Sequence, residues 1–534
     1  MPMPLVFPGA IPNHAGMELP VLPITPTLPA IAEALAEGHL VLGAPPGSGK
    51  TTLVPLALLE ADWLAGRKIL MLEPRRPATR MAARRMAQLL GEPVGETVGY
   101  QVRFDRRIGP RTRIEVLTEG LLLRRLQADP ELADVGLVIF DEFHERSLHA
   151  DLALALCLDV ATSLREDLRL LPMSASLEGE ALAELLNARL LQAEGRAHPV
   201  EIHYLEHDPS PQERLRAVQR LVRQALERHA GNLLVFLPGR GEIARLAEAL
   251  ADLPQQGVAL QRLHGEVPAA EQDAIIRGGG GRRVVLATDI AETSLTLGGI
   301  RVVIDSGLAR RPRFDPASGL TRLETGFISR ASALQRAGRA GREAPGHCYR
   351  AWSEARHDRL EAAIRPEILD ADLAPALLEL AAWGLTDPSE VRWPTPPPAA
   401  HWAQARELLQ QLQALDARGR ITATGRALLR LPLHPRLAQM LHTAPADAGR
   451  ALAADIAALL EERDPWRREP GQAAPCDLAP RLEALAAWRR GATPAGFDSG
   501  TLRRLDPVSR QLRELLPDAD DRAGTAPSPG YLLA

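Results

Sequence analysis

The stretch that decides the fold is Gly43-Ala44-Pro45-Pro46-Gly47-Ser48-Gly49-Lys50-Thr51. It lies between the apolar run Leu40-Val41-Leu42 and a helix-forming segment that opens with Thr52. A strand, a loop of small residues and a helix, in that order, aim several backbone N–H groups at one point, and the helix N-terminus favours negative charge there. The pattern predicts a phosphate cradle built from Ala44, Pro45, Pro46, Gly47, Ser48, Gly49 and Thr52. Lys50 would reach the β- and γ-phosphates, and the Thr51 hydroxyl would bind Mg²⁺. Ala44 stands where a strict form of the loop has glycine, which matters only if the backbone needs a positive φ.

Around this loop, apolar runs at 40–43, 68–72, 114–117, 137–140 and 169–173 alternate with helical stretches such as 52–59 and 78–90. That alternation predicts an α/β fold of βαβ units, a parallel sheet with helices on both faces. The pattern restarts with strands at 232–237, 258–263, 283–287 and 302–304. Two tandem lobes are therefore expected, with a boundary near 197–211. After about Ile368 the strand signal fades, and 373–383, 403–415 and 447–460 show helical apolar spacing. Residues 393–398 form a proline-rich connector, and Gly419-Arg420-Ile421-Thr422 followed by Thr424-Gly425-Arg426 has the look of a small β-wing. The chain ends on Leu532-Leu533-Ala534, an apolar run just begun, as expected of a fragment of a longer protein.

A chain of 534 residues exceeds one hydrophobic core. Its 46% apolar and 24% charged residues are those of an ordinary globular protein. A formal net charge of −4 lends no support to polyanion binding, so such a partner must meet a local basic lining and backbone amides. Cys157, Cys348 and Cys476 lack CxxC spacing, which argues against a disulfide framework or zinc cluster and fits a reducing cytoplasm. Pro2, Pro4, Pro8 and Pro12 break the first apolar residues, against a signal peptide. No uncharged run approaches the roughly 20 residues that cross a bilayer, so no membrane partner is expected.

Two further signals carry chemistry. Asp141-Glu142-Phe143-His144 directly follows the apolar strand 135–140, and a carboxylate at a strand's C-terminal end faces the crevice where α/β sheets bind ligands. Asp141 would hold Mg²⁺, and Glu142 would orient and deprotonate the attacking water. A zinc-protease reading of His144-Glu145 fails because the next histidine, His149, is five residues on rather than four. Gln335-Arg336-Ala337-Gly338-Arg339-Ala340-Gly341-Arg342 places two arginines three apart. Both are expected on one side of a helix, where they could stabilise charge on a transferring phosphoryl group. Trp352, Trp383, Trp402 and Trp488 are better read as packing anchors than as base-stacking groups, and 278–281 as a surface loop.

These motifs, in order, resemble those of the DEAH/RHA-type helicases of superfamily two, most nearly the bacterial HrpB subgroup. The resemblance rests on 44–52, Pro74-Arg75-Arg76, Leu117-Thr118-Glu119-Gly120, 141–144, Ser174-Ala175-Ser176, 287–296 and 335–342. It implies two RecA-like lobes followed by a winged-helix domain and a mainly helical region. The expected division is an N-terminal extension 1–27, lobe one 28–200, lobe two 201–367, winged helix 368–442 and a truncated helical bundle 443–534. It further implies that Gln335 positions the hydrolytic water, that Arg339 and Arg342 act as arginine fingers, and that His144, Ser174 and Ser176 couple nucleotide state to the strand path. Arg75, Thr118 and Thr288 match residues that hold a nucleic-acid backbone. Residues 313–323, turning at Pro316-Ala317-Ser318-Gly319, match a strand-separating hairpin. Arg85 matches one side of the clamp on the nucleotide base, whereas Ile276 stands where relatives have phenylalanine, and Asp289 stands where they usually have asparagine.

The implied function is an ATP- and Mg²⁺-dependent, cytoplasmic, monomeric helicase moving three-prime to five-prime on single-stranded nucleic acid, RNA in preference. The rival readings are a strand-stimulated NTPase that remodels ribonucleoprotein without unwinding, and a non-catalytic RNA-binding scaffold.

Overall fold

A computed structural model describes residues 20–516 except 104, 176–178, 195–197, 293–296, 446–447 and 468–474. The chain forms two compact units, Met1–Ala371 with Val391–Pro396, and Asp372–Glu390 with Pro397–Ala534.

The first unit holds two sheets. Lobe one uses β1 (Leu40–Gly43), β2 (Lys68–Glu73), β3 (Val98–Val102), β4 (Asp105–Arg107), β5 (Ile114–Thr118), β6 (Val135–Phe140), β7 (Arg169–Ser174) and β8 (Arg189–Gln192). Their order is β4-β3-β5-β2-β6-β7-β1-β8, parallel except for the β3–β4 edge hairpin. Lobe two uses β9 (Val200–Leu205), β10 (Asn232–Phe236), β11 (Ala259–Leu263), β12 (Arg283–Ala287) and β13 (Ile300–Asp305). It adds the hairpin strands β14 (Leu308–Asp315) and β15 (Leu320–Phe327), and then β16 (Gly346–Ser353). The second sheet is all parallel, in the order β11-β12-β10-β13-β16-β9.

Strands covered on both faces show as unbroken apolar runs, and β1 and β6 are buried along their whole length. Strands at the margins are harder to see in sequence. β4 and β8 are three and four residues long, and β9 interleaves Glu201 and His203 with apolar residues. β9 lies within the stretch expected to separate the lobes, yet it pairs with β16 as an edge strand of lobe two. The connector that precedes it is stitched to the loop between Arg339 and Arg342: His198 N donates to Gly341 O at 2.9 Å. A Cβ on Gly341 would stand 2.5 Å from His198 O, so only glycine permits that approach.

The hairpin β14–β15 turns at residues 316–319, as the sequence implied. Gly319 N donates to Asp315 O at 2.9 Å, and β15 is exposed along its length.

The second unit is helical, with Ala374–Trp383, Ala399–Gln411, Ala423–Leu429, Pro435–Thr443, Ala448–Glu461, Ala479–Arg489 and Ser499–Glu514. The expected wing is corrected in its second half only. Residues 419–422 lie in a short hairpin, with Leu415 bridged to Ile421 and Thr422 N donating to Ala414 O at 3.0 Å, whereas Thr424-Gly425-Arg426 lies inside the helix Ala423–Leu429, whose N-cap Thr422 accepts from Gly425 N at 3.0 Å. A threonine cap thus outcompetes strand extension. The 393–398 connector is divided, since 391–396 packs with the first unit: Arg392 donates to Leu185 O at 3.3 Å and Arg146 to Thr395 Oγ1 at 2.7 Å. Among the described residues no helix is long and apolar enough to cross a membrane.

Candidate functional site

The phosphate loop leaves β1 at its C-terminal end and enters the helix Lys50–Leu58. Gly47 and Gly49 take φ of 83° and 94°, where a side chain would be strained. Ala44 does not lie in that region, so its departure from glycine costs the loop nothing. Ala44 N instead donates to Ser174 O at 2.9 Å, tying the loop to the end of β7. Ser48 Oγ is buried without a partner, and the Thr52 hydroxyl turns back to Gly49 O at 3.3 Å.

β2 and β6 bring three acids beneath this loop. Lys50 Nζ lies 3.3 Å from Glu142 Oε2 and 3.7 Å from Asp141 Oδ1, and Thr51 Oγ1 donates to Asp141 Oδ2. All of these charged groups are buried, Lys50 at 3% exposure, and the third acid, Glu73, at 2%. Burial alone would lower the Lys50 pKa, but Glu142 and Asp141 reverse the effect and hold it above its ordinary value. Glu142 is likewise penalised by burial, yet Lys50, His144 and Arg339 hold its carboxyl below the usual range. Burial, then repulsion from Asp141 and Glu142, drives the Glu73 carboxyl well above its ordinary range. Sequence reading missed Glu73 because its place follows from β2 lying beside β6, which no local pattern reveals.

Beyond β6 the chain turns sharply, with Glu142 itself left-handed at φ 50° and ψ 33°. His144 lies buried with Nε2 3.5 Å from Glu142 Oε2, while its Nδ1 accepts from Ala175 N at 3.3 Å. One imidazole therefore connects Glu142 to the segment after β7. Ser174 ends that strand and is buried. Ser176 lies outside the described residues, as do 293–296 of the 287–296 motif.

Lobe two faces this cluster across a cleft. The helix bearing Gln335 runs only from Arg330 to Gly338, so Arg339 and Arg342 do not share a helix face as expected. Arg339 caps its end and Arg342 follows in a turn, because Gly338 and Gly341 weaken helix propagation and Gly341 packs against the connector. Arg342 nonetheless points at the phosphate loop: a Cβ built on Gly47 would lie 3.8 Å from its Nε. Arg339 is buried, its Nε donating to Glu292 O at 2.8 Å, and its charge acts on Glu142. Burial first, and then Arg342, lowers the Arg339 pKa well below its ordinary value. Gln335 faces His144, although its Oε1 and His144 Nε2 form no hydrogen bond of normal geometry. A buried framework fixes this side of the cleft. Arg336 binds Glu292 at 2.8 Å and Asp305 at 2.9 Å, and Ser332 Oγ donates to Glu292. Sequence reading gave no role to Arg336, Glu292 or Asp305, whose partnership joins residues up to 44 positions apart.

Arg85 is exposed on the helix Arg76–Leu89, bonded to Gln88 at 3.0 Å. The neighbouring Arg84 bridges to Asp273 at 3.2 Å, so this helix faces Ala269–Arg277, which carries Ile276. A second cleft of about 460 Å³ opens between the lobes beneath the hairpin, lined by Arg75, Glu145, Asp289, Arg311, Arg313 and Glu367 among others. Arg75 pairs there with Glu145 at 3.4 Å and Asp289 at 3.3 Å. Thr288 adjoins it and caps the turn Asp289–Ala291, whereas Thr118, at the start of the helix Glu119–Ala128, is not part of its lining.

A phosphate loop on one parallel-sheet lobe, facing an arginine pair on another, is the arrangement of the two-lobed P-loop fold. Residues 27–185 match the DEAD/DEAH box helicase model, 213–344 the helicase conserved C-terminal domain, and 405–433 the winged-helix helicase associated domain. The chain is 48% identical over 445 residues to the ATP-dependent RNA helicase HrpB of Escherichia coli, covering 83% of this chain and 55% of that one. It is 35% identical to the ATP-dependent RNA helicase HrpA homolog of Haemophilus influenzae, covering 83% and 34% respectively. The crystal structure of the Escherichia coli DEAH/RHA helicase HrpB superposes with a TM-score of 0.83 at 43% identity, covering 96% of this chain and 63% of that one. The chain belongs to the DEAH/RHA-type helicases, and within them it is similar to HrpB. Its architecture is two RecA-like lobes, a winged-helix domain and a helical C-terminal region. It spans little more than half the length of that first relative.

Proposed function

We propose that this chain is an ATP-dependent helicase that moves along single-stranded nucleic acid, RNA in preference, with ATP hydrolysed between its two lobes. The observation that carries the proposal is the approach of Arg342 to Gly47 across the cleft, with Lys50 and Glu142 directly beneath. The relatives' description as RNA helicases supports the choice of substrate.

The residues suit the triphosphate and a metal: a positive-φ glycine loop, a buried lysine, and a hydroxyl–carboxylate pair, Thr51–Asp141. Mg²⁺, when bound, neutralises charge on the β- and γ-phosphates. Lys50 is held by Glu142 at 3.3 Å. Phosphate oxygens compete for that ammonium, and when Lys50 turns to them Glu142 loses its strongest stabilising charge. Its basicity rises just as a water must be deprotonated. Gln335 orients that water from lobe two, and Arg339 and Arg342 stabilise charge on the departing phosphoryl group. His144 and Ser174 communicate the state of the loop to the segment after β7. Arg75 and Thr288, together with Thr118, hold the nucleic-acid backbone, a contact that carries no base information. The buried free thiols of Cys157 and Cys348 accord with a reducing cytoplasm, and the protein acts as a monomer.

Lys50→Ala is expected to abolish strand-stimulated ATP hydrolysis while leaving single-strand binding intact, and Arg339→Ala to lower kcat by about 10³-fold or more. Undiminished turnover in Lys50→Ala would overturn the site. A duplex-displacement assay run beside the ATPase assay separates unwinding from remodelling.

A further inference from the structure

The edge of lobe two assembles a second cluster, remote from the nucleotide. β9 and β16 run parallel with Glu201 opposite His347 and His203 opposite Tyr349, so all four residues stand on one face of the sheet. His229, immediately after the helix Arg214–Arg228, closes over them. Its ring stacks on His347 at 3.9 Å between centroids, and its Nε2 lies 2.6 Å from the Tyr349 hydroxyl.

We infer that Glu201, His203 and His347 form a binding site for a borderline divalent cation of the zinc class. The donor atoms already stand at coordination spacing. His203 Nε2 and His347 Nδ1 are 3.3 Å apart, Glu201 Oε2 and His347 Nδ1 3.3 Å, and Glu201 Oε1 and His203 Nε2 3.7 Å. A tetrahedral ion with bonds of about 2.0–2.1 Å needs donors about 3.3–3.4 Å apart; His203 Nε2 and Glu201 Oε2 each stand at that spacing from His347 Nδ1, and one donor atom from each of the three residues lies within 4.8 Å of the others. Two imidazoles and one carboxylate select zinc-class ions over Mg²⁺, which prefers oxygen donors. The fourth position faces solvent, because Glu201 is exposed and both histidines are half-buried. Stacking of His229 on His347 and of His203 on Tyr349 at 4.4 Å sets the ring planes, as outer groups do around metal-ligating histidines. The cysteine spacing that argued against a zinc cluster does not bear on this site, which the fold builds from β9 and β16, 146 positions apart in sequence at Glu201 and His347. An ion here would bind the edge strand β9 to its neighbour and so stiffen the part of lobe two that receives the connector from lobe one.

The test uses the full chain, stripped with a chelator and kept in excess Mg²⁺ without nucleotide. Titration with Co²⁺ should give the visible band of a four-coordinate ion at one equivalent, and Zn²⁺ should displace it and raise the melting temperature by several degrees. His203→Ala/His347→Ala should lose the band and weaken Zn²⁺ binding more than about tenfold, with strand-stimulated ATPase retained. Glu201→Gln, which preserves shape and hydrogen bonding, should weaken binding without altering the melting temperature of the stripped protein. No saturable Co²⁺ band, or equal Zn²⁺ uptake by wild type and the double variant, would overturn the assignment.

Discussion

At the scale of single residues, Glu142 shows how position outranks propensity. A non-glycine residue in the left-handed region costs about 1 kcal/mol, yet the turn aims its carboxylate at Lys50 and keeps His144 within 3.5 Å. Asp289 illustrates a second single-residue effect. Its carboxylate occupies Arg75, the residue proposed to grip phosphate, at 3.3 Å. Nucleic acid must displace that carboxylate, and a half-buried pair that still meets solvent is worth about 1 kcal/mol. Asp289→Asn should therefore tighten single-strand binding about two- to fivefold at low salt, measured by fluorescence anisotropy. Unchanged or weaker binding would show that Arg75 is not the phosphate contact.

Among the elements, two helices of lobe one share one hydroxyl. Ser147 caps Leu148–Ser163 by accepting from Ala150 N at 3.0 Å while donating to Glu119 at 2.5 Å, in the first turn of Glu119–Ala128. Burial pushes the Glu119 carboxyl up to about 7, with the Ser147 hydroxyl opposing it and Glu145 and Glu367 adding to it. The folded chain thus keeps Glu119 neutral while the unfolded chain ionises it above 4.5. Stability must fall as pH rises from about 4.5 to about 7 and stay level beyond. Glu119→Gln removes that slope, so its melting temperature relative to wild type should climb across that window and then plateau. A constant difference would place Glu119 in solvent. Elements also divide by how visible they were in sequence. Buried β1, β6 and β12 announced themselves as apolar runs, whereas β9 and β16 carry the polar residues that edge pairing and surface chemistry demand, and only their partnership identifies them as strands.

For the molecule as a whole, we propose that nucleotide specificity is set between the lobes. The helix that carries Arg85 faces the helix of Ile276 through the Arg84–Asp273 pair, and an aliphatic side chain cannot stack on a base as an aromatic ring does. ATP, GTP and UTP should accordingly show kcat/KM values within about an order of magnitude, and strict ATP selectivity would refute that account. The phosphate loop, Asp141-Glu142 and the arginine pair were legible because each motif is local in the chain. Glu73 and the Glu292–Arg336–Asp305 framework were not, because their meaning lies in which strands and turns become neighbours. The bond from His198 to Gly341 has a mechanical consequence. The tether joining the lobes is fastened to the same loop that carries Arg342, so we propose that tension along it reaches this arginine without passing through the sheet, a strain gauge for lobe separation beside the phosphate loop.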